Sequence, residues 1–262
     1  LGRAGIGADK PERRPVLRDN RSLKSGRRLQ EIAHPRVPDG AAVQVIEAAT
    51  ENLGLKIKIL QQLDGLLGPD AVLIIADTFA ELVTGQMRET RGATDGVDEV
   101  EHYLKVVYEK TACLIAASGR FGGTFSGADP EQVERLSRLG GLVGTAFQIS
   151  DDIIDIESDP EESGKLPGTD LREGVHTLPV LYALRETGPA ADRLRQLLAT
   201  DITDQSVAEA LNLLRESNGI PMAKAMVRSY AEQARAELAA LPDCPGRSAM
   251  GSLVDYTVNR HG

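Results

Sequence analysis

The sequence predicts an all-α fold, and three observations predict it. From Ala41 onward the apolar residues recur at helical spacing. No stretch alternates apolar and polar residues as a half-buried strand would, and no internal repeat is present. Helix start and stop signals punctuate the chain at helix-length intervals, as at Gly68-Pro69 and Asp129-Pro130. The expected architecture is a bundle of about ten helices packed around a shared interior.

Residues 1–40 are set apart as an irregular basic segment. They are rich in Arg, carry Pro11, Pro15, Pro35 and Pro38, and show no sustained apolar period. Residues 41–262 make the helical domain. Ala41 to Leu53 and Leu55 to Leu67 read as two short apolar helices ended by Gly68. Pro69 suits a first helical position and starts a helix through Arg91, stopped by Gly92. Val97 to Ala117 reads as one long helix, with Val100, Leu104, Val107 and Leu114 near helical spacing. Asp129-Pro130 caps and begins a long helix through Ile156. A loop rich in Gly, Pro and Asp covers 157–174. His176 to Arg185, Ala190 to Leu198, Asp204 to Ser217, Ile220 to Leu241 and Arg247 to Asn259 complete the helices.

Composition narrows the function. The 262 residues are 41% hydrophobic, enough for a core, but only 3% aromatic and without Trp, which disfavours an aromatic-lined sugar site or carbocation cage. A net charge of −9 excludes general nucleic-acid binding. No apolar run reaches the roughly 18 residues of a membrane span, and no secretory signal pattern opens the chain. Cys113 and Cys244 lack metal-type spacing and fit a reducing, cytoplasmic setting.

The chemistry concentrates at Asp151-Asp152-Ile153-Ile154-Asp155. On a helix, Asp151 and Asp155 stack one turn apart with Asp152 beside them. Acidic clusters on helices are usually solvated faces. Here, however, the preceding Leu139 to Ile149 is apolar and rich in small residues, and Ile153, Ile154 and Ile156 interleave the acids. Three such carboxylates repel one another, and a hard divalent cation relieves that repulsion. Mg²⁺ suits oxygen ligands and bridges to substrate phosphates. Lys165, in the following loop, supplies a cation for phosphate oxygens.

The stretch Gly144 to Asp155, the Phe147-Gln148 pair, Gly164-Lys165, Gly168-Thr169-Asp170 and Thr177-Leu178-Pro179 together resemble the trans-type polyprenyl diphosphate synthases. Thr84 to Met87 and Glu109 to Ala112 resemble further motifs of that family, and the resemblance runs from Leu67 to the C-terminus. It implies an isoprenoid synthase-type bundle around a central cavity. It also implies a transferase that joins isopentenyl diphosphate to an allylic prenyl diphosphate in isoprenoid biosynthesis, with Mg²⁺ as cofactor and a homodimer as the assembly. Carried over by position, Asp151, Asp152 and Asp155 bind Mg²⁺, and Gln148 lines the same face. Lys110 and Lys165 contact the allylic diphosphate, and Thr111 helps stabilise the cation or accept the proton. Gln86, Arg27 and Arg28 join the substrate-binding set, although Gln86 also reads as plain helix surface or packing, and the two arginines read equally as part of a basic tail.

The chain also departs from that family. No aspartate pair precedes residue 151, where the family carries its first aspartate-rich motif, and Val175 stands where a further lysine is usual. An unresolved loop, a disrupted 5′ portion of the gene, and true divergence all fit that difference. It also admits a catalytically impaired or regulatory subunit that pairs with a complete synthase. A class I terpene cyclase on the same fold is the third reading.

Overall fold

The computed structural model describes residues 69–158, 166–200 and 203–260. The basic segment 1–40 with Arg27 and Arg28, the two helices expected between Ala41 and Leu67, and Lys165 lie outside the described residues, as does the expected boundary at 40/41. The described elements belong to one compact unit, Leu60–Gly262, and all of them are helical.

Helix α1 spans Pro69–Arg91. Its proline lacks an N–H that would go unpaired anyway, Arg88 and Arg91 face the negative end of the helix dipole, and Gly92 at φ 74° ends it. The expected helix from Val97 to Ala117 differs in three ways. It starts later, because Asp98 is the cap, its Oδ1 accepting the N–H groups of Val100 at 2.9 Å and Glu101 at 3.0 Å. It is interrupted, because α2 (Glu99–Val107) passes through a π-helical turn (Tyr108–Ala112) into α3 (Cys113–Ser126). It also runs on past Ala117. Gly119, Gly122 and Gly123 have low helix propensity, but α3 lies along the next long helix, and tertiary burial overrides propensity.

That next helix, α4 (Pro130–Glu157), is the centre of the described bundle and is packed by α3, the π turn and the later helices. Asp129 Oδ1 accepts the Gln132 N–H at 2.9 Å, and Pro130 holds the first position. Leu139, Val143, Ala146, Ile149, Ile153 and Ile156 are buried at spacings of three and four residues, a single apolar stripe. Each fully buried Leu or Ile contributes about 1.5–3 kcal/mol. After the loop come α5 (Thr169–Arg172), α6 (Leu178–Leu184), α7 (Pro189–Leu198), α8 (Asp204–Glu216), α9 (Gly219–Ala239) and α10 (Pro245–Val258). From α6 onward each helix begins and ends within two residues of its sequence expectation.

Two apolar clusters fill the interior. One joins α2, the C-terminal half of α4 and α6–α9 through residues such as Ile149, Ile153, Leu178 and Leu214. The other joins the middle of α4 to α9 and α10 through Leu139, Val143, Leu238 and Val254. The first grips the C-terminal turns of α4, which carry the aspartates, and the second grips its middle. Along α1, by contrast, Ile75, Phe79, Val83 and Met87 lie four residues apart and are exposed. No described helix is long and apolar enough to cross a membrane.

Candidate active site

The site begins where α4 and the π turn touch. A Cβ on Gly144 would lie 2.7 Å from Ala112 Cα, so only glycine lets the two backbones meet this closely. That contact sets Thr111 beside Gln148. The Thr111 hydroxyl donates to Gln148 Oε1 at 3.0 Å, and Gln148 Nε2 donates to Asp152 Oδ1 at 2.9 Å. The Gln148 amide thus turns its NH₂ to Asp152 and its carbonyl to Thr111. The Tyr103 hydroxyl, from α2, donates to Asp152 Oδ2. π turns inside α-helices are frequent at functional sites, and this one bears Lys110 and Thr111.

The three aspartates do not converge as their spacing predicted. Asp152 is only 5% exposed, and both of its oxygens accept hydrogen bonds within the protein. Burial pushes its carboxyl up to about 7, the neighbouring charges of Asp170 and Asp151 push the same way, and the Tyr103 and Gln148 hydrogen bonds oppose them. Tyr103 is raised well above the usual phenol range, first by burial and then by Asp152. Asp155 turns to the loop instead. Its Oδ1 accepts the Thr169 N–H at 3.1 Å and its Oδ2 the Asp170 N–H at 3.2 Å, while its carbonyl accepts the Gly168 N–H at 2.8 Å. Gly168 can follow this path because it adopts φ 77°, which side-chain-bearing residues avoid.

Asp151 takes a third direction. Its Oδ1 pairs with Arg260 Nη2 at 2.8 Å, and the same guanidinium lies 4.2 Å over the Phe147 ring, one turn back on α4. Arg260 follows α10, whose end is tied to α4 by the Ser150 hydroxyl donating to the Thr257 carbonyl at 3.0 Å.

Around the π turn, α1 contributes two ion pairs. Lys110 Nζ lies 2.9 and 2.7 Å from the two Glu89 oxygens, and Arg88 grips Glu109 with contacts of 2.7 and 3.1 Å. Gln86 donates to Glu89 at 3.1 Å and so stands at the edge of this group, exposed. The structure thus joins Lys110, Thr111, Gln148 and Asp152 into one neighbourhood and leaves Gln86 peripheral.

Four residues escaped the sequence reading as site members: Glu89, Tyr103, Asp170 and Arg260. Only Asp170 carried a signal, its place in Gly168-Thr169-Asp170. Its carboxyl is pushed up to about 6 by burial first, then by Asp155, Glu173 and Asp151, with Lys110 pulling it down. It therefore shares its field with the aspartates of α4.

Among the described residues no three Asp, Glu, His or Cys side chains come close enough to hold a metal ion by themselves. The donor set still suits a hard divalent cation. The oxygens it offers are carboxylates, burial and then the neighbouring carboxylates push Asp170 up, and a cationic guanidinium pairs with Asp151. Mg²⁺ commonly keeps waters and completes its shell with phosphate oxygens, so three preset protein ligands are not required.

The fold and this site define an all-helical protein with an aspartate-bearing central helix facing a lysine-bearing π turn. The polyprenyl synthetase family model matches residues 25–214, and the chain belongs to that family. It is 69% identical over 197 residues to a nonaprenyl diphosphate synthase of Mycobacterium tuberculosis, covering 75% of this chain and 59% of the relative. It is 31% identical over 201 residues to component 2 of a heptaprenyl diphosphate synthase of Bacillus subtilis, covering 77% and 57%. Among solved structures, a geranylgeranyl pyrophosphate synthase of Corynebacterium glutamicum, complexed with calcium and isoprenyl diphosphate, matches with 46% identity and a TM-score of 0.73 over 80% of this chain and 65% of that one. The chain thus spans roughly three fifths of the length of the curated relatives it matches.

Proposed function

We propose that this chain is a trans-prenyltransferase that condenses isopentenyl diphosphate with an allylic diphosphate to give a polyprenyl diphosphate. The observation that carries the reading is the continuous path from Thr111 through Gln148 to Asp152, with Lys110 on the same turn. It supports a site that handles a diphosphate leaving group. Departure of diphosphate leaves an allylic cation, the alkene of the second substrate attacks it, and a proton is lost. The charge that builds on the leaving group must be absorbed.

Asp151, Asp155 and Asp170 would hold Mg²⁺, which supplies electrostatic stabilisation of the departing diphosphate. Asp152 differs from them in being almost fully buried, with Tyr103 and Gln148 donating to its two oxygens, so its part is to fix the Gln148 amide. Gln148 in turn orients the Thr111 hydroxyl, whose oxygen lone pairs then point at developing positive charge or at the departing proton. Lys110 leaves Glu89 for a diphosphate oxygen. Lys165, Arg27 and Arg28 keep the diphosphate-binding roles that the family resemblance gives them.

The same proposal includes a cytoplasmic homodimer. The exposed apolar stripe of α1 supports an associating surface, and sedimentation of the purified chain tests it. A second reading, a subunit of a heteromeric synthase, is supported by the lack of an aspartate pair before residue 151 and by the likeness to a component 2. One experiment separates the two. The purified chain is incubated with labelled isopentenyl diphosphate, farnesyl or geranylgeranyl diphosphate and Mg²⁺, and the products are chromatographed. Elongated diphosphates are expected. Their absence, with activity appearing on addition of a complete synthase, would favour the subunit.

A further inference from the structure

Arg260 has an arrangement that the proposed reaction does not use. Its Nη2 is 2.8 Å from Asp151 Oδ1, and its guanidinium is stacked 4.2 Å above Phe147. Its Nη1 is buried with no hydrogen-bond partner among the described residues, which is costly for a charged donor. Its side chain is 18% exposed, against 45% for Asp151, so the arginine is the more deeply held of the two. The anchor is local: Thr257 is buried and its carbonyl is bonded to Ser150, the residue before Asp151. Arg260 is therefore delivered to the first aspartate of the motif by the packing of α10 on α4 rather than by a chance surface encounter.

We propose that Arg260 is the displaceable counter-ion of Asp151, occupying that carboxylate while no divalent cation is bound and competing with the cation for it. The inference rests on the reading of Asp151 as a ligand of that cation. A guanidinium and a metal ion on the same carboxylate repel one another, so each weakens the other's hold on Asp151. Nη1, unpartnered among the described residues, leaves the stacked position incompletely satisfied, which lowers the cost of giving it up. The metal-free site is thereby kept from carrying its full negative charge, and cation loading is coupled to movement of the segment after α10.

The test is Mg²⁺ calorimetry, without any prenyl substrate, on the wild-type chain, Arg260→Gln, Arg260→Lys and Asp151→Asn. Competition predicts that Arg260→Gln binds Mg²⁺ more tightly, by about three- to fivefold, the scale of a half-exposed ion pair. Arg260→Lys, which keeps the charge but loses the planar stacked geometry, falls between. Thermal melting gives a second readout: Arg260→Gln lowers the midpoint without Mg²⁺, and saturating Mg²⁺ removes the difference. Unchanged or weaker Mg²⁺ binding in Arg260→Gln, with Asp151→Asn abolishing it, overturns the role of Arg260 and leaves the metal reading standing. Mg²⁺ binding that is indifferent to Asp151→Asn overturns both.

Discussion

Tyr103 of α2 donates its phenolic hydrogen to Asp152 of α4, and this bond, made between two buried groups, fixes which way the second aspartate of the motif faces. With Gln148 on the other oxygen, Asp152 becomes an internal strut that joins the helix of the aspartates to the π turn.

A pH dependence follows from Asp152. Its carboxyl is pushed up to about 7 in the folded chain against an ordinary value of 3.8. Between those values the folded chain holds a proton that the unfolded chain has lost. The group therefore leaves stability untouched below the lower value and destabilises progressively as pH rises to the upper one. Asp152→Asn removes the titration. The stability of the variant relative to wild type should rise by about 2–4 kcal/mol between roughly pH 4 and pH 8. Urea denaturation at both pH values measures it, and a gap that stays constant would mean that Asp152 is ionised in the fold throughout.

Gly168 resists substitution for two reasons at once. It sits at φ 77°, and a Cβ there would lie 2.8 Å from Val207 Cγ1. Gly168→Ala should cost about 2–3 kcal/mol, from the backbone penalty and the clash together. Adding Val207→Ala removes the atom that is struck, so the double variant should lose less than the sum of the two single changes. Strict additivity in chemical denaturation would show that the loop relaxes away from α8.

Local signals made most of the fold legible. Pro69, Asp129-Pro130 and the turn residues after Arg185 fix helix ends through their own backbone chemistry, and the stripe from Leu139 to Ile156 fixes which face of α4 is buried. The interruption at Tyr108–Ala112 was not legible, because nothing in the spacing of its own five residues marks it, and its close approach to α4 at Gly144 is a contact between residues 32 apart. Helical spacing put Asp151, Asp152 and Asp155 on α4 correctly but could not say what each would meet. Tyr103, Arg260 and the Thr169–Asp170 backbone come from remote parts of the chain, and they pull the three carboxylates in separate directions.

Glu89 holds Lys110 in the absence of a phosphate ligand. With side chains 41% and 30% exposed, the pair adds no more than about 1 kcal/mol to stability. Glu89→Gln should therefore leave the melting temperature nearly unchanged while binding inorganic diphosphate several-fold more tightly in the presence of Mg²⁺, because Lys110 no longer has to leave a carboxylate. Lys110→Ala should weaken the same binding. If Glu89→Gln instead weakens it, Glu89 is itself part of the binding site rather than a competitor for the lysine.

The unequal surroundings of the aspartates predict unequal consequences of removing them. Asp151 gives up only a guanidinium, and Asp170 is crowded by Asp155, Glu173 and Asp151, so both have a charge that a divalent cation would relieve. Asp152 has neither a free oxygen nor solvent access. Asp151→Asn and Asp170→Asn should each lower Mg²⁺-dependent diphosphate affinity by tenfold or more, about 1.4 kcal/mol or above. Asp152→Asn keeps the shape of the strut and should lower that affinity much less, while slowing turnover through a misplaced Gln148 amide. Calorimetry with inorganic diphosphate and Mg²⁺, set beside product formation, reads the two effects separately. An Asp152→Asn protein that loses metal-dependent binding as fully as Asp151→Asn would return Asp152 to the cation, and would require Tyr103 to release it when the ligand arrives.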